Sequence, residues 1–136
     1  MRQQIAAAAL GPPEKTAPPS TAFLKAAEVW RRDYLPAEDF AGFRGHFEGQ
    51  PVLPALAQVF MAQDTAQTLA GHPLTLAAVT QAKFLSPVVP GLTLSVYAQA
   101  PDQGGEWRLH LTASGDGIPA VDAAFLRLKF KEELDV

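Results

Sequence analysis

The pattern of apolar and polar residues divides the chain into one long helix and a series of strands. From Ala55 to Ala70 there is no glycine or proline, and the first two turns are apolar except for Gln58. Pro54 suits the first turn of a helix, and the Gly-His-Pro sequence at 71–73 ends it. Because such a helix has no clearly polar face, we expect it to be buried on most sides at the centre of the domain.

The remaining segments favour strands joined by turns. Residues 93–100 and 107–114 alternate between apolar and polar side chains, and glycine-rich turns follow at 101–105 and 115–117. The predicted strands are 26–34, 74–84, 93–100, 107–114 and 120–130. This order predicts an α+β fold in which an antiparallel sheet wraps around one long central helix.

The first 20 residues differ in composition from the rest. Four alanines at 6–9 can form a helical turn, and four prolines between 11 and 20 favour extended backbone. We expect residues 1–20 to be a loosely attached tail; the alternative is an arm that lies on a partner subunit. Residues 21–136 are expected to form a single domain.

Composition excludes several classes of function. The chain has 136 residues, 48% hydrophobic and 18% charged, which indicates a globular protein. The net charge is −3 and the chain has no basic run, so nothing in the sequence indicates nucleic-acid binding. With no cysteine there is no disulfide or thiolate ligand, and the three scattered histidines predict no metal site. No nucleotide-binding glycine motif and no membrane span are visible, so we expect no cofactor and a cytoplasmic location.

A histidine loop leads into the helix. The sequence Gly-His-Phe-x-Gly-x-Pro-x-x-Pro at 45–54 resembles the hotdog-fold β-hydroxyacyl-acyl carrier protein dehydratases, above all the short dehydratase-like proteins of aryl-polyene type pathways. Segments 35–40 and 83–91 also fit, and the resemblance covers roughly residues 24–130. It implies a hotdog fold, a homodimer, and a (3R)-hydroxyacyl thioester on acyl carrier protein or coenzyme A as substrate.

Dehydration of such a thioester needs a base at the carbon beside the carbonyl, an acid for the leaving hydroxyl, and donors for the thioester oxygen. His46 can exchange a proton near neutral pH, and the helix N-terminus offers free N–H groups. In the family, a glycine at the position of Ala55 gives its N–H to the oxyanion. Alanine keeps that N–H but restricts the backbone.

One position departs from the family. The resemblance places a catalytic carboxylate fourteen residues after His46, where this chain has Phe60. Asp64 lies on the same helical face about 6 Å further along the axis, and Glu48 lies two residues after the histidine. Both are candidate catalytic residues beside His46. Because neither occupies the family position, we expect weak or absent dehydratase activity.

Three interpretations remain open. The chain is a dehydratase, a hotdog thioesterase in which Asp64 or Glu48 activates water, or a non-catalytic subunit that binds acyl groups or pairs with an active partner. In each, the acyl chain is expected between subunits, with its carrier arm near Arg44 and Lys83. The homodimer is also expected because segments 74–84 and 107–114 are rich in apolar residues. The predicted substrate-binding residues are Phe47, Gly49, Pro54, Ala55, Leu56, Phe60 and Met61.

The two other histidines carry less information. His72 lies in the turn after the helix, where we expect it to be exposed. His110 lies on the polar side of a predicted strand, without an acidic partner at a diagnostic spacing.

Overall fold

A short helix, two short strands and a long helix precede four longer strands. The computed structural model of the protein describes residues 2–40, 43, 52–101 and 103–132. Its helices are α1 (Arg2–Ala8) and α2 (Ala55–Ala70). Its strands are β1 (Glu14–Thr16), β2 (Val29–Tyr34), β3 (Leu74–Phe84), β4 (Thr93–Gln99), β5 (Glu106–Gly115) and β6 (Ile118–Glu132).

The six strands form one antiparallel sheet in the order β1-β2-β4-β5-β6-β3. Alternate residues of each strand point to the same face, and those facing α2 are apolar. On β4 and β5 this face carries fully buried residues, among them Leu94, Val96, Leu109 and Leu111. The predicted α+β layout, an antiparallel sheet around one long helix, is confirmed.

Half of the residues of helix α2 are buried, and small and flexible side chains among them let the sheet pack closely against this part of the helix. Ala57, Met61, Ala62 and Ala66 are all fully buried in the core. The helix ends where predicted, at Gly71, whose left-handed backbone (φ 79°) lets its N–H donate to the carbonyl of Gln67. Within the described ranges, neither helix combines the length and apolarity that crossing a membrane requires.

The first predicted strand is shorter than expected. It was predicted over 26–34, but β2 begins at Val29. The preceding residues form bends that are held by the side chain of Gln99, whose Oε1 accepts the N–H groups of Lys25 at 2.7 Å and Ala26 at 3.1 Å. At this point the hydrogen bonds to Gln99 take the place of backbone hydrogen bonds between strands. This explains why β2 begins only at Val29. The later strands agree with the prediction to within two residues.

The expectation of a loosely attached N-terminal tail is wrong for residues 2–16. In α1, Ile5 is 1% exposed and belongs to the hydrophobic core, because the alanines around it let the helix pack closely. The N–H of Leu10 donates to the carbonyl of Asp33, and that of Leu35 to the carbonyl of Ala8, each at 2.9 Å. Strand β1 then pairs with β2. This segment is therefore part of the domain.

Strand β5 is buried on both faces. This corrects the expectation that the apolar residues of 107–114 indicate a dimer. On the face away from α2, His110 is 1% and Thr112 is 6% exposed. The ring of Phe125 packs on His110 with centroids 4.5 Å apart, and Phe23 packs on Phe125 at 5.1 Å. The apolar residues of 107–114 are thus buried within one subunit, so their number does not indicate a dimer.

The two edges of the sheet differ. Edge strand β1 has three residues, Glu-Lys-Thr. At the other edge, β3 has eleven residues, and all six at 79–84 are exposed, including Val79 (46%) and Phe84 (40%). A long edge with exposed apolar side chains is a template for pairing with another chain. The apolar excess that was expected in 74–84 is therefore present in the structure.

Candidate functional site

A cleft lies at the start of helix α2. Its volume is about 340 Å³. One wall comes from the N-terminal end of the helix and the residues before it, and the other from the end of β3 and the segment after it. The lining residues are Val52, Leu53, Ala55, Gln58, Phe84, Leu85, Ser86 and Pro87.

Backbone hydrogen bonds hold the two walls of the cleft together. The N–H of Leu53 donates to the carbonyl of Val88 at 2.6 Å. The N–H of Leu85 donates to the carbonyl of Ala123, on β6, at 2.9 Å. The helix start is thereby fixed to the proline-rich segment 87–90, and that segment is fixed to the sheet.

The helix end at this cleft carries a partial positive charge. Pro54 precedes the helix with extended backbone, and no side chain of the described residues caps it. The first intrahelical bond runs from the N–H of Gln58 to the carbonyl of Pro54 at 3.2 Å. The N–H groups of residues 55–57 therefore have no intrahelical acceptor, and they are suited to bind an oxygen that gains negative charge.

Gln58 places a polar side chain in the wall of this cleft. It is only 3% exposed, and its Nε2 makes a long hydrogen bond of 3.4 Å to the carbonyl of Leu53. Its Oε1 is buried and accepts no hydrogen bond within the described part of the chain. Sequence reasoning noted Gln58 only as a polar interruption and did not assign it to the site.

The predicted site residues are only partly brought together. His46, Phe47, Glu48 and Gly49 lie outside the described residues. Pro54 precedes the helix at the cleft, and Ala55 lines it. Leu56 is 56% exposed on the helix surface, whereas Met61 is fully buried in the core and offers no surface to a ligand.

Phe60 and Asp64 line a second cavity, on the side of α2 that α1 covers. This cavity has a volume of about 280 Å³. The guanidinium carbon of Arg2 lies 5.1 Å from the centre of the Phe60 ring, a cation–π contact. The expectation that both residues share a helical face is correct. This face is covered, however, by the N-terminal helix that was expected to be a loose tail.

The carboxylate of Asp64 is engaged by residues of β2. Its Oδ2 accepts a hydrogen bond from Arg32 Nη1 at 2.8 Å and another from the Tyr34 hydroxyl at 2.7 Å. The Arg32 and Asp64 side chains are only 15% and 19% exposed. Tyr34 is fully buried, and this burial raises the pKa of its phenol above the usual value. Asp64 thus links helix to sheet, away from the cleft.

Sequence reasoning missed the acidic partner of a buried histidine. His110 Nε2 lies 2.7 Å from Asp122 Oδ1, and these residues stand on adjacent strands β5 and β6. A spacing of twelve residues across a hairpin is not diagnostic in a sequence, so only the register of the pair reveals it. Among the residues that the structure describes, no cluster of His, Asp or Glu could hold a metal ion.

Sequence comparison identifies relatives for the central part of the chain. Residues 27–118 match the family model described as ApeI-like, ApeI dehydratase. A 3-hydroxyacyl-[acyl-carrier-protein] dehydratase FabZ from Acidiphilium cryptum is 32% identical over 93 residues, 61% of this chain and 56% of that relative. The FabZ of Cereibacter sphaeroides is also 32% identical, over 69% of this chain and 74% of that relative. The chain thus spans little more than half of the first relative.

Solved structures share the fold. The dehydratase heterocomplex ApeI:P from Xenorhabdus doucetiae matches with a TM-score of 0.62 and 23% identity, over 86% of this chain and 93% of that one. An uncharacterised protein from Erwinia carotovora subsp. atroseptica matches with a TM-score of 0.65 and 24% identity, over 90% and 98%. The expected hotdog fold is confirmed, and the family match covers most of the chain. The chain belongs to the ApeI-like dehydratase family.

Proposed function

We propose that this protein binds (3R)-hydroxyacyl thioesters, carried by acyl carrier protein or coenzyme A in the cytoplasm, and eliminates water from them slowly. The observation that carries this proposal is the cleft at the uncapped start of α2. His46 precedes this helix closely in the sequence. The relatives named for 3-hydroxyacyl-[acyl-carrier-protein] dehydration support the choice of substrate.

The chemistry follows from these groups. His46 removes a proton from C2 of the acyl group, and the electrons move onto the thioester oxygen, which the N–H groups at 55–57 stabilise. The enolate then reforms the carbonyl, a C2–C3 double bond forms, and the C3–O bond breaks. The departing hydroxyl takes the proton that His46 had accepted and leaves as water. The products are the enoyl thioester and one water molecule.

Turnover is slow because one histidine must perform both proton transfers. General acid or base assistance by a positioned group is typically worth about 10²–10⁴-fold. Phe60 has no proton to give, and Asp64 is held by Arg32 and Tyr34. The same engagement of Asp64 weighs against the thioesterase interpretation, in which Asp64 activates water. Glu48 remains a candidate for either role from its position in the sequence.

The protein acts as a dimer joined through β3. Support comes from the exposed edge, where apolar residues of β3 continue into the cleft wall at Phe84 and Leu85. An acyl chain that leaves the cleft at this edge would be covered by the partner's surface. Lys83 is exposed on the same strand and suits the anionic arm of a carrier; Arg44, its proposed companion, lies outside the described residues.

A second candidate assembly follows from Phe60. A homodimer has an apolar residue at this position in both subunits, whereas a different hotdog subunit with a carboxylate there would complete one site. One structure of the same fold is a heterocomplex of dehydratase chains, which supports pairing between unlike subunits. In this assembly the present chain contributes acyl binding and His46.

Turnover of a 3-hydroxyacyl pantetheine thioester tests the proposal, with the enoyl product followed by absorbance. We expect slow turnover in the wild type, its loss in His46→Ala, and no change in His72→Ala, a histidine in the turn after α2. Equal rates in all three proteins would contradict the role of His46. A wild-type rate in the typical range of about 1–10³ s⁻¹ would contradict the slow, single-histidine route.

A further inference from the structure

We propose that Gln58 recognises the 3-hydroxyl group of the substrate, with its Oε1 accepting a hydrogen bond from that hydroxyl. This inference rests on the proposed function, because it assigns the cleft at the start of α2 to the reacting part of a 3-hydroxyacyl thioester. It adds a residue that determines which acyl groups the cleft prefers.

The first support is the state of the Gln58 side chain. A buried acceptor without a partner is costly, and native proteins leave few of them. Gln58 is 3% exposed, lines the cleft, and has no partner for Oε1 in the described ranges. A group that enters the cleft with a donor would remove this cost.

The second support is the direction of the amide. Because Nε2 is directed to the carbonyl of Leu53, the oxygen is the amide atom that remains without a partner among the described residues. An oxygen selects a ligand that donates, such as a hydroxyl. A saturated or a 3-ketoacyl chain has no donor at this carbon, so the arrangement favours the 3-hydroxyacyl group over both.

The third support is the placement of Gln58 relative to the helix end. The residue lies three positions after Ala55, which corresponds to about 4.5 Å along the helix axis. The thioester oxygen and the 3-hydroxyl are attached to carbons separated by a single carbon atom. If the N–H groups at 55–57 hold the thioester oxygen, the hydroxyl falls within about one helical turn of that site, where Gln58 is.

Gln63 provides a matched control on the same helix. It is a glutamine of nearly the same burial, 4% exposed, but its Nε2 donates to the carbonyl of Leu74 at 2.7 Å, and it does not line the cleft. A change at Gln63 therefore removes a buried amide from α2 without touching the proposed hydroxyl site.

The test compares two stable probes, the pantetheine amides of octanoic and 3-hydroxyoctanoic acid, by titration calorimetry with the full chain. We expect the wild type to bind the hydroxylated probe about tenfold more tightly, the difference typical of one satisfied buried hydrogen bond. Gln58→Met should abolish this preference without weakening the octanoyl probe. Gln58→Asn, which retracts the acceptor, should do the same, and Gln63→Met should keep the preference.

The outcomes separate the two proposals. If Gln58→Met and Gln58→Asn retain the tenfold preference, the assignment of Gln58 is overturned while the proposed function stands. If neither probe binds the wild type, the acyl-binding function itself fails. Should Gln58→Met not fold, the Gln58→Asn result decides alone. A wild type that binds both probes equally also contradicts hydroxyl recognition by Gln58.

Discussion

Arg32 and Asp64 join the second strand to the central helix through a contact of 2.8 Å between Nη1 and Oδ2. Arg32 also donates from Nε to the carbonyl of Gly11, so the same side chain holds the N-terminal segment. One guanidinium thus connects three parts of the chain. These contacts favour a structural role for Asp64 over a catalytic one.

Replacing Asp64 by Asn should lower the free energy of unfolding by about 1–3 kcal/mol, because it leaves a mostly buried guanidinium without its charge partner. The matched control is Asp33→Asn. Its pair with Arg31 is much more exposed, at 31% and 42%, so about 0–1 kcal/mol is expected. Urea denaturation measures both. Equal losses would show that burial of the Asp64 pair has no energetic consequence.

Ile5→Ala tests whether α1 belongs to the domain. Ile5 is 1% exposed, so removing its side chain should cost about 2–5 kcal/mol, as for other buried aliphatic residues. Leu10→Ala serves as the control, since Leu10 is 59% exposed, and should change stability by less than about 0.5 kcal/mol. Thermal unfolding followed by circular dichroism distinguishes the two, and a loose N-terminal segment would make both variants neutral.

Tyr34 predicts a dependence of stability on alkaline pH. Burial raises the pKa of its phenol, so the folded protein holds this proton more tightly than the unfolded chain does. The resulting stabilisation is complete below the unfolded pKa of about 10 and is lost as the pH rises above it. Tyr34→Phe should lower stability at neutral pH by about 1–3 kcal/mol, since the hydrogen bonds to Asp64 and Thr65 are lost.

The alkaline decline should also become shallower in Tyr34→Phe. Tyr97→Phe, the control, changes the other tyrosine of the chain and should leave the decline in place. Denaturant titrations between neutral and strongly alkaline pH supply the comparison. An unchanged decline in Tyr34→Phe would mean that other groups cause it.

Val79→Lys tests pairing through β3. In a symmetric pair of edges the new lysines would face a shared apolar surface, so the dimer dissociation constant should rise at least about tenfold. Val121→Lys is the control, because Val121 has the same exposure of 46% but lies on β6. Light scattering over a concentration series reads out the mass. A monomeric wild type at micromolar concentration would contradict the homodimer.

Phe60→Asp tests the missing carboxylate. Phe60 lines the cavity under α1 rather than the cleft, so the variant should eliminate water about 10²-fold faster or more only if the new carboxylate reaches the substrate. The buried charge costs several kcal/mol if unpaired, but the Arg2 guanidinium already lies over this position. Leu56→Asp, one turn earlier on an exposed part of the same helix, should give no increase. A folded Phe60→Asp variant with an unchanged rate would locate the limitation elsewhere.

The central helix and the late strands were predictable from the sequence because their signals are local. A 16-residue run without glycine or proline defined α2, and alternation defined β4 and β5. The sequence indicated a helical turn near the N-terminus but not its attachment to the domain, because that attachment comes from the docking of Ile5, a tertiary contact that composition does not reveal.

The candidate site was predictable only in outline. The helix start and its proline follow from the sequence, and the structure places them at a cleft. The partners of Asp64 stand about thirty residues earlier, on β2, and only the folded arrangement brings them together. Likewise, the lack of a partner for the Gln58 oxygen among the described residues depends on which groups surround it. The spacing of residues along the sequence does not predict contacts of this kind between distant parts of the chain.

The unequal edges of the sheet determine how far assembly can proceed. A copy that pairs through its own β3 would leave the three-residue strand β1, with its charged Glu14 and Lys15, at both outer ends of the joined sheet. Short, charged edges are poor acceptors for a further strand. If the protein pairs through β3 as proposed, growth would therefore terminate after one addition, and the long apolar edge would not lead to fibres.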